Sequence, residues 1–296
     1  MVSNRNHSRG HRWAFVALLI GNLALAMGPF LVRHSGVGPV AAGFWRLFLA
    51  LPFLWLIARM ANQPVHIPRK GATIAIAGAA FFFATDLAAW HAGIALTKLG
   101  NATLFGNISS FLFAAWGLWM LRAWPSKIQA MALTLAAVGC AMLVWGSAEL
   151  GATHLRGDLL SLLAGLLYAG YLIIVERVRG EVKAMPLLFL ASLFGAALLL
   201  PWAVLSGEQI VPPYWAPLFA LALCSQVMGQ GLVVYALGYV PPLIVGIAML
   251  TQPALSALLG WIYYDERLTL LDWTGALCIV IALLLVRLRD PAAKRT

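Results

Sequence analysis

Hydrophobic positions in this chain fall in long runs separated by short polar connections. Crossing a bilayer takes about 20 residues of helix at 1.5 Å rise each. Ten runs reach that scale: 13–33, 38–58, 71–95, 101–121, 128–146, 157–178, 186–205, 214–237, 242–262 and 270–288. The connections carry the Pro, Gly and charged residues that close helices. None is long or polar enough for a soluble domain. The pattern predicts one all-α integral membrane unit of ten transmembrane helices.

Composition points the same way. Apolar residues make up 62% of the 296 and charged residues 10%, against about 45–50% and 25% in a soluble domain. The net charge of +10 does not mark a nucleic-acid binder. Its Lys and Arg stand singly or in small groups between apolar runs, without interleaved stacking aromatics. With the N-terminus cytoplasmic, fifteen of the twenty basic residues lie on the cytoplasmic side. Arg33, Lys98, Arg156 and Arg267 lie outside, and Arg46 lies within a span. That bias follows the positive-inside rule, so the chain is expected in the cell inner membrane, multi-pass, with both termini cytoplasmic. The basic N-terminus, the first run and Ala24-Leu25-Ala26 also fit a cleavable signal peptide. The run continues past that cleavage point, however, and is read as a retained span. Cys140, Cys224 and Cys278 all sit in apolar runs, and three thiols without ligand spacing give neither a disulfide framework nor a metal site.

The chain repeats itself weakly at an offset of 141 residues. Leu47–Ala50 and Leu188–Ala191 both read LFLA, and Ala95-Leu96 and Ala236-Leu237 keep the same register. Residues 1–146 and 147–296 are therefore read as two repeats. Five spans per repeat is an odd number, so the second must insert upside down. Inverted repeats are a recurrent carrier design, because exchanging the conformations of the two halves switches the open side.

Several stretches resemble the EamA repeat of the drug/metabolite transporter superfamily. Gly157-Asp158-Leu159-Leu160, continuing through Ala164, Tyr168 and Tyr171, is similar to that repeat's opening helix. Tyr235-Ala236-Leu237, Gln252 through Leu258, Asp265-Glu266-Arg267-Leu268 and Trp273-Thr274-Gly275-Ala276 are similar to its close. In the first half, Phe44-Trp45-Arg46-Leu47 resembles the second helix with its arginine, while Pro125 replaces the acidic residue matching Glu266. Within the superfamily the chain looks most like the aromatic amino-acid exporters of the YddG type. That resemblance implies export of aromatic and other neutral amino acids. A carrier of the same fold for amphiphilic drugs or another small metabolite is the alternative.

Candidate site residues are polar groups at membrane depth, where an unpaired one is costly. Arg46 and Asp86 are each eight or nine residues from the outer ends of their spans, about 12–14 Å deep at 1.5 Å per residue. They are read as a structural or coupling charge pair: a clamp in the preferred reading, a proton or substrate-ammonium site at Asp86 in the other. Trp90 follows Asp86 by one turn, with His91 next to it. Asn107 and Ser110 lie on the fourth span, Tyr168 and Tyr171 on the sixth, Gln226 and Gln230 on the eighth, and Thr251 and Gln252 on the ninth. Trp90, His91, Asn107, Ser110, Tyr168, Gln226, Gln230, Thr251 and Gln252 are taken as substrate-binding candidates, with packing between helices as the alternative role.

These residues imply a cavity that is polar but uncharged. With no Lys or Arg expected in it, phosphate esters are disfavoured. A zwitterion needs only a few dipoles and an apolar or aromatic pocket, which Trp90, Trp116, Tyr168, Tyr171 and Tyr235 offer. Met131 and Met249 are read as packing. No phosphate loop, zinc-ligand spacing or nucleophile set is present, so neither an enzyme nor a cofactor is expected. The expected partners are a small-molecule substrate and the lipid bilayer, with the chain a monomer or weak homodimer. A cysteine placed at Gly207 should react with a membrane-impermeant label in spheroplasts while tags at either end stay protected; labelling of a terminus would reverse the orientation.

Overall fold

A computed structural model describes residues 2–97, 99–120, 122, 124–145, 154–264 and 268–288. Every regular element among them is helical. α1 (Val2–Ala26) and α2 (Gly28–Arg33) form one rod, interrupted at Met27 just ahead of Pro29. α3 (Pro39–Phe48) and α4 (Leu51–Met60) form a second, with Pro52 at the restart, where its missing N–H costs nothing. α5 (Lys70–Leu96) is unbroken over 27 residues. α6 (Leu99–Gly106) and α7 (Ile108–Met120) part at Asn107. α8 (Lys127–Trp145), α9 (Leu155–Val178) and α10 (Ala184–Leu205) are single helices. α11 (Ala216–Ala220), a π-helical stretch (Leu221–Gln230) and α12 (Gly231–Ala236) run on as one rod. α13 (Pro242–Met249) and α14 (Thr251–Tyr264) part at Leu250, and α15 (Leu270–Leu288) ends the described chain.

Among the described residues, six stretches are long and apolar enough to cross a membrane: Trp13–Arg33, Pro39–Met60, Lys70–Leu96, Leu155–Val178, Ala184–Leu205 and Ala216–Ala236. Each lies close to a segment expected from the sequence. The other four expected segments are also helical. They include the shorter apolar helices Lys127–Leu143, Pro242–Ser256 and Leu270–Val286 and the interrupted α6–α7 rod. Asp265, Glu266 and Arg267 lie outside the described residues. Large apolar side chains face outward along the rods, among them Trp13, Trp55, Trp119, Trp202, Trp261 and Trp273. The protein is a multi-pass membrane protein.

Packing follows a simple scheme. α5 lies along α9, and α1 lies along the π-helical stretch and α12. α10 packs on α3 and α4, α7 on α13, and α8 on α15. Lipid tails are as apolar as Leu, so helices in a membrane associate through close approach of small residues. The α8–α15 crossing shows this best: a Cβ on Gly139 would lie 2.6 Å from the Gly275 carbonyl oxygen, and one on Gly275 would lie 2.7 Å from that of Gly139. Gly165 of α9 meets the carbonyls of Phe105 and Gly106 on α6 in the same manner.

Both ends of the α3–α4 and α10 pair are tied by side chains. At one end the Glu208 carboxylate accepts the amides of Val40 (3.3 Å) and Ala41 (2.8 Å) at the start of α3. At the other, Gln63 Oε1 accepts the Met185 amide (3.3 Å) at the start of α10. Each acceptor sits where a helix leaves unpaired amides and a partial positive charge. On this packing, Gly139→Val should cost about 1–3 kcal/mol through overpacking, read as a lower midpoint of thermal unfolding in detergent. Gly78→Ala, at a glycine with open space around it, should leave the midpoint within about 0.5 kcal/mol of the parent.

Candidate functional site

Where the interrupted rods α1–α2, α6–α7 and α13–α14 approach α5 and α9, they leave a cavity. Its walls include Leu25, Pro29, Arg46, Phe83, Asp86, Trp90, Thr103, Asn107, Ser109, Ser110, Tyr168, Met249, Gln252 and Ser256. Interruptions place polar atoms here for a local reason. A break frees backbone carbonyls that hydrocarbon cannot hydrate, and nearby side chains must take them. Asn107 Nδ2 donates to the Thr103 carbonyl at 2.7 Å, and Ser109 Oγ to that of Gly106 at 2.9 Å. Around Leu250, Thr251 Oγ1 donates to the Ala248 carbonyl at 2.7 Å, and Asn22 Nδ2 donates to the same oxygen at 2.8 Å.

Of the sequence candidates, the cavity gathers Arg46, Asp86, Trp90, Asn107, Ser110, Tyr168 and Gln252. Four others stand apart from its wall. Gln226 and Gln230 are fully buried behind it on the π-helical stretch. Gln226 Oε1 accepts from Arg46 Nε at 3.2 Å, and its Nε2 donates to Ser192 Oγ at 3.0 Å. Gln230 accepts from the Tyr168 hydroxyl at 3.1 Å and donates to that of Tyr171 at 3.0 Å. The two glutamines therefore position the wall rather than form it. Thr251 is occupied in capping the break at Leu250. His91 is buried against α3, where its Nδ1 donates to the Pro39 carbonyl at 3.0 Å.

The expected aromatic pocket is likewise redrawn. Trp90 and Tyr168 line the cavity, joined by Phe83. Tyr171 is fully buried, stacked on Phe83 with ring centroids 4.6 Å apart. Trp116 lies under Arg177, whose Cζ is 4.6 Å from its ring, and Tyr235 packs against Tyr239 with the rings tilted by 47°. Neither Trp116 nor Tyr235 reaches the cavity. Met249, expected to be packing, does.

Arg46 and Asp86 correct the sequence reading in two respects. Both line the cavity, so its wall holds a basic and an acidic side chain rather than neutral polar groups alone. They also make no direct salt bridge: Arg46 Nε is held on Gln226, and the guanidinium carbon lies 5.7 Å from the Phe83 ring centre. The Asp86 carboxyl faces the same space as the Arg46 guanidinium.

Sequence reasoning missed two buried residues. Asn22, inside the first apolar run, bonds Ala248 and accepts Gln252 Nε2 at 3.3 Å, which ties α1 to both α13 and α14. Asp158, noted only within a motif, accepts from Thr97 Oγ1 at 2.6 Å and Asn101 Nδ2 at 2.9 Å, which pins the start of α9 to the α5–α6 junction. A lone Asn or Asp in an apolar run was the available signal for each.

Residues 155–288 match the EamA-like transporter family. Two uncharacterized transporters of Archaeoglobus fulgidus are similar over most of their length. One is 24% identical over 265 residues, covering 83% of this chain and 89% of the relative; the other is 23% identical over 275 residues, covering 93% and 96%. A chain of known crystal structure shares the fold, with a TM-score of 0.78 and 15% identity over 96% of this chain and 98% of that one. The second half of this multi-pass membrane chain is thus similar to the EamA-like transporter family, and the relatives it resembles over most of its length are named as transporters.

Proposed function

We propose that the protein is a secondary carrier that exports aromatic and other neutral amino acids across the inner membrane by alternating access. Its ten spans form two inverted five-helix repeats, with residues 1–146 and 147–296 as the halves. The packing supports the repeat reading. Exchanging each rod with its counterpart five rods away turns the α5–α9 contact into the contact of the π-helical stretch and α12 with α1. The same exchange carries the α10 contact with α3–α4, the α7–α13 contact and the α8–α15 contact onto themselves. A central cavity between such halves is where a carrier presents its substrate to either side.

One observation carries the substrate reading. The cavity combines one cation, one anion, several neutral dipoles and the aromatic walls of Trp90, Phe83 and Tyr168. A wall of zero net charge suits a molecule of zero net charge. Its aromatic faces suit a flat or apolar side chain, each such contact being worth about 0.5–1.5 kcal/mol beyond simple burial. An amphiphilic cation would leave Arg46 facing like charge.

Counterflow of labelled amino acids in proteoliposomes tests this. Trp90→Ala and Tyr168→Ala should each cut exchange of aromatic substrates about tenfold, the equivalent of 1.4 kcal/mol, and exchange of threonine much less. Gln230→Ala should follow Tyr168→Ala in direction with a smaller effect, since it acts through the tyrosine. Equal losses for all substrates would remove the aromatic wall from the account. Should no amino acid exchange in the parent while amphiphilic drugs do, the drug-carrier alternative takes its place.

A further inference from the structure

We infer that Arg46 and Asp86 are a two-point receptor for a zwitterionic head group, Arg46 taking the carboxylate and Asp86 the ammonium, with Gln226 keeping the two apart while the site is empty. This rests on the amino-acid reading above and gives that reading its recognition chemistry.

The geometry carries the argument. Arg46 and Asp86 are 3% and 8% exposed, so what little surface they keep opens into the cavity they share. Opposite charges in a low dielectric attract strongly, and a purely structural pair would close to direct contact. These do not. Arg46 Nε is committed to Gln226, which Ser192 anchors in turn, and Phe83 supports the guanidinium from its ring face. The remaining guanidinium N–H groups are left at the cavity wall. Asp86 has no hydrogen-bond partner among the described residues. A buried charge without a hydrogen-bonded partner is costly, and an α-amino acid supplies both missing partners at once, a carboxylate for the guanidinium fork and an ammonium for Asp86. An amine or an acid alone supplies one and leaves the other charge exposed to a dry site. Trp90, one turn after Asp86, and Tyr168 then border the space left for the side chain.

The test uses four ligands that differ only in the head group: L-tryptophan, tryptamine, indole-3-propionate and N-acetyltryptophanamide. Each is titrated against the purified protein in nanodiscs and its Kd measured calorimetrically. Tryptophan should bind at least about tenfold tighter than any of the others, because a site built for polar groups rejects analogues that lack them. Arg46→Gln should shift preference towards tryptamine, and Asp86→Asn towards indole-3-propionate. The Arg46→Gln/Asp86→Asn double variant should keep the parent's affinity for N-acetyltryptophanamide and lose the advantage for tryptophan. Gln226→Leu should weaken tryptophan about tenfold by letting Arg46 close onto Asp86. If tryptamine or indole-3-propionate binds the parent as tightly as tryptophan, or the single variants weaken all four ligands alike, the receptor is overturned and the amino-acid reading survives. If none of the four binds, the amino-acid reading falls and this inference falls with it. The ligand series on the parent protein decides the matter even where a single variant does not fold.

Discussion

Each interruption of a membrane-spanning helix strands backbone groups where no water reaches them, and hydrocarbon makes every stranded group cost several kcal/mol. The breaks at Asn107 and Leu250 persist because the chain meets that cost locally. Ser109 takes the carbonyl of Gly106, Thr251 and Asn22 take that of Ala248, and Asn107 folds back onto the Thr103 carbonyl, which its own backbone amide also reaches at 3.1 Å. A polar cavity follows from this accounting. The side chains that cap the breaks must stand beside them, so breaks brought together bring a set of dipoles with them. Gln252 reaches the same place because the chain restarts at Thr251, and its amide bonds back to Asn22 across the interface.

This constraint also separates what hydropathy reveals from what it hides. Apolar runs gave helix boundaries because length and polarity at the ends set them, and Trp13–Arg33 and Leu155–Val178 match their expected segments closely. The direction in which each side chain points depends on rotation about the helix axis, which a run apolar on all sides does not encode. Gln226 and Gln230 illustrate the difficulty. Four residues apart, they do share a face, but the π-helical winding of Leu221–Gln230 changes the angular step per residue. Both amides end up behind the cavity, one on Arg46 and the other on two tyrosines. His91 was drawn into the candidate set by its neighbour Trp90, yet successive helical residues diverge by about 100°, and it faces α3 instead. Depth was legible for Arg46 and Asp86; contact was not, because the sequence showed no reason for Gln226 to intervene. The bonding roles of Asn22 and Asp158 are hidden for the opposite reason: they are single polar residues among many apolar ones, with partners 226 and 61 positions away.

Among the described residues, a set of side-chain hydrogen bonds in and near the cavity wall joins elements far apart in sequence. Asn22 reaches Ala248 and Gln252, Arg46 reaches Gln226, and Thr97 and Asn101 reach Asp158. Each such bond is worth about 0.5–1.5 kcal/mol net, more where a charge takes part. Their sum stays within the range that a bound ligand offsets through its differential affinity for two conformations. The α8–α15 interface stands away from the cavity, and glycine contacts such as Gly139 with Gly275 fix its spacing without any part in the cavity wall. A carrier has to satisfy two demands that pull against each other: every polar group paired in each state, and no pairing strong enough to forbid the other state. Neutral amides and hydroxyls exchange partners at little net cost. A direct Arg46–Asp86 salt bridge, broken without replacement, would not. Holding Arg46 on a glutamine rather than on a carboxylate keeps the site on the permissive side of that balance.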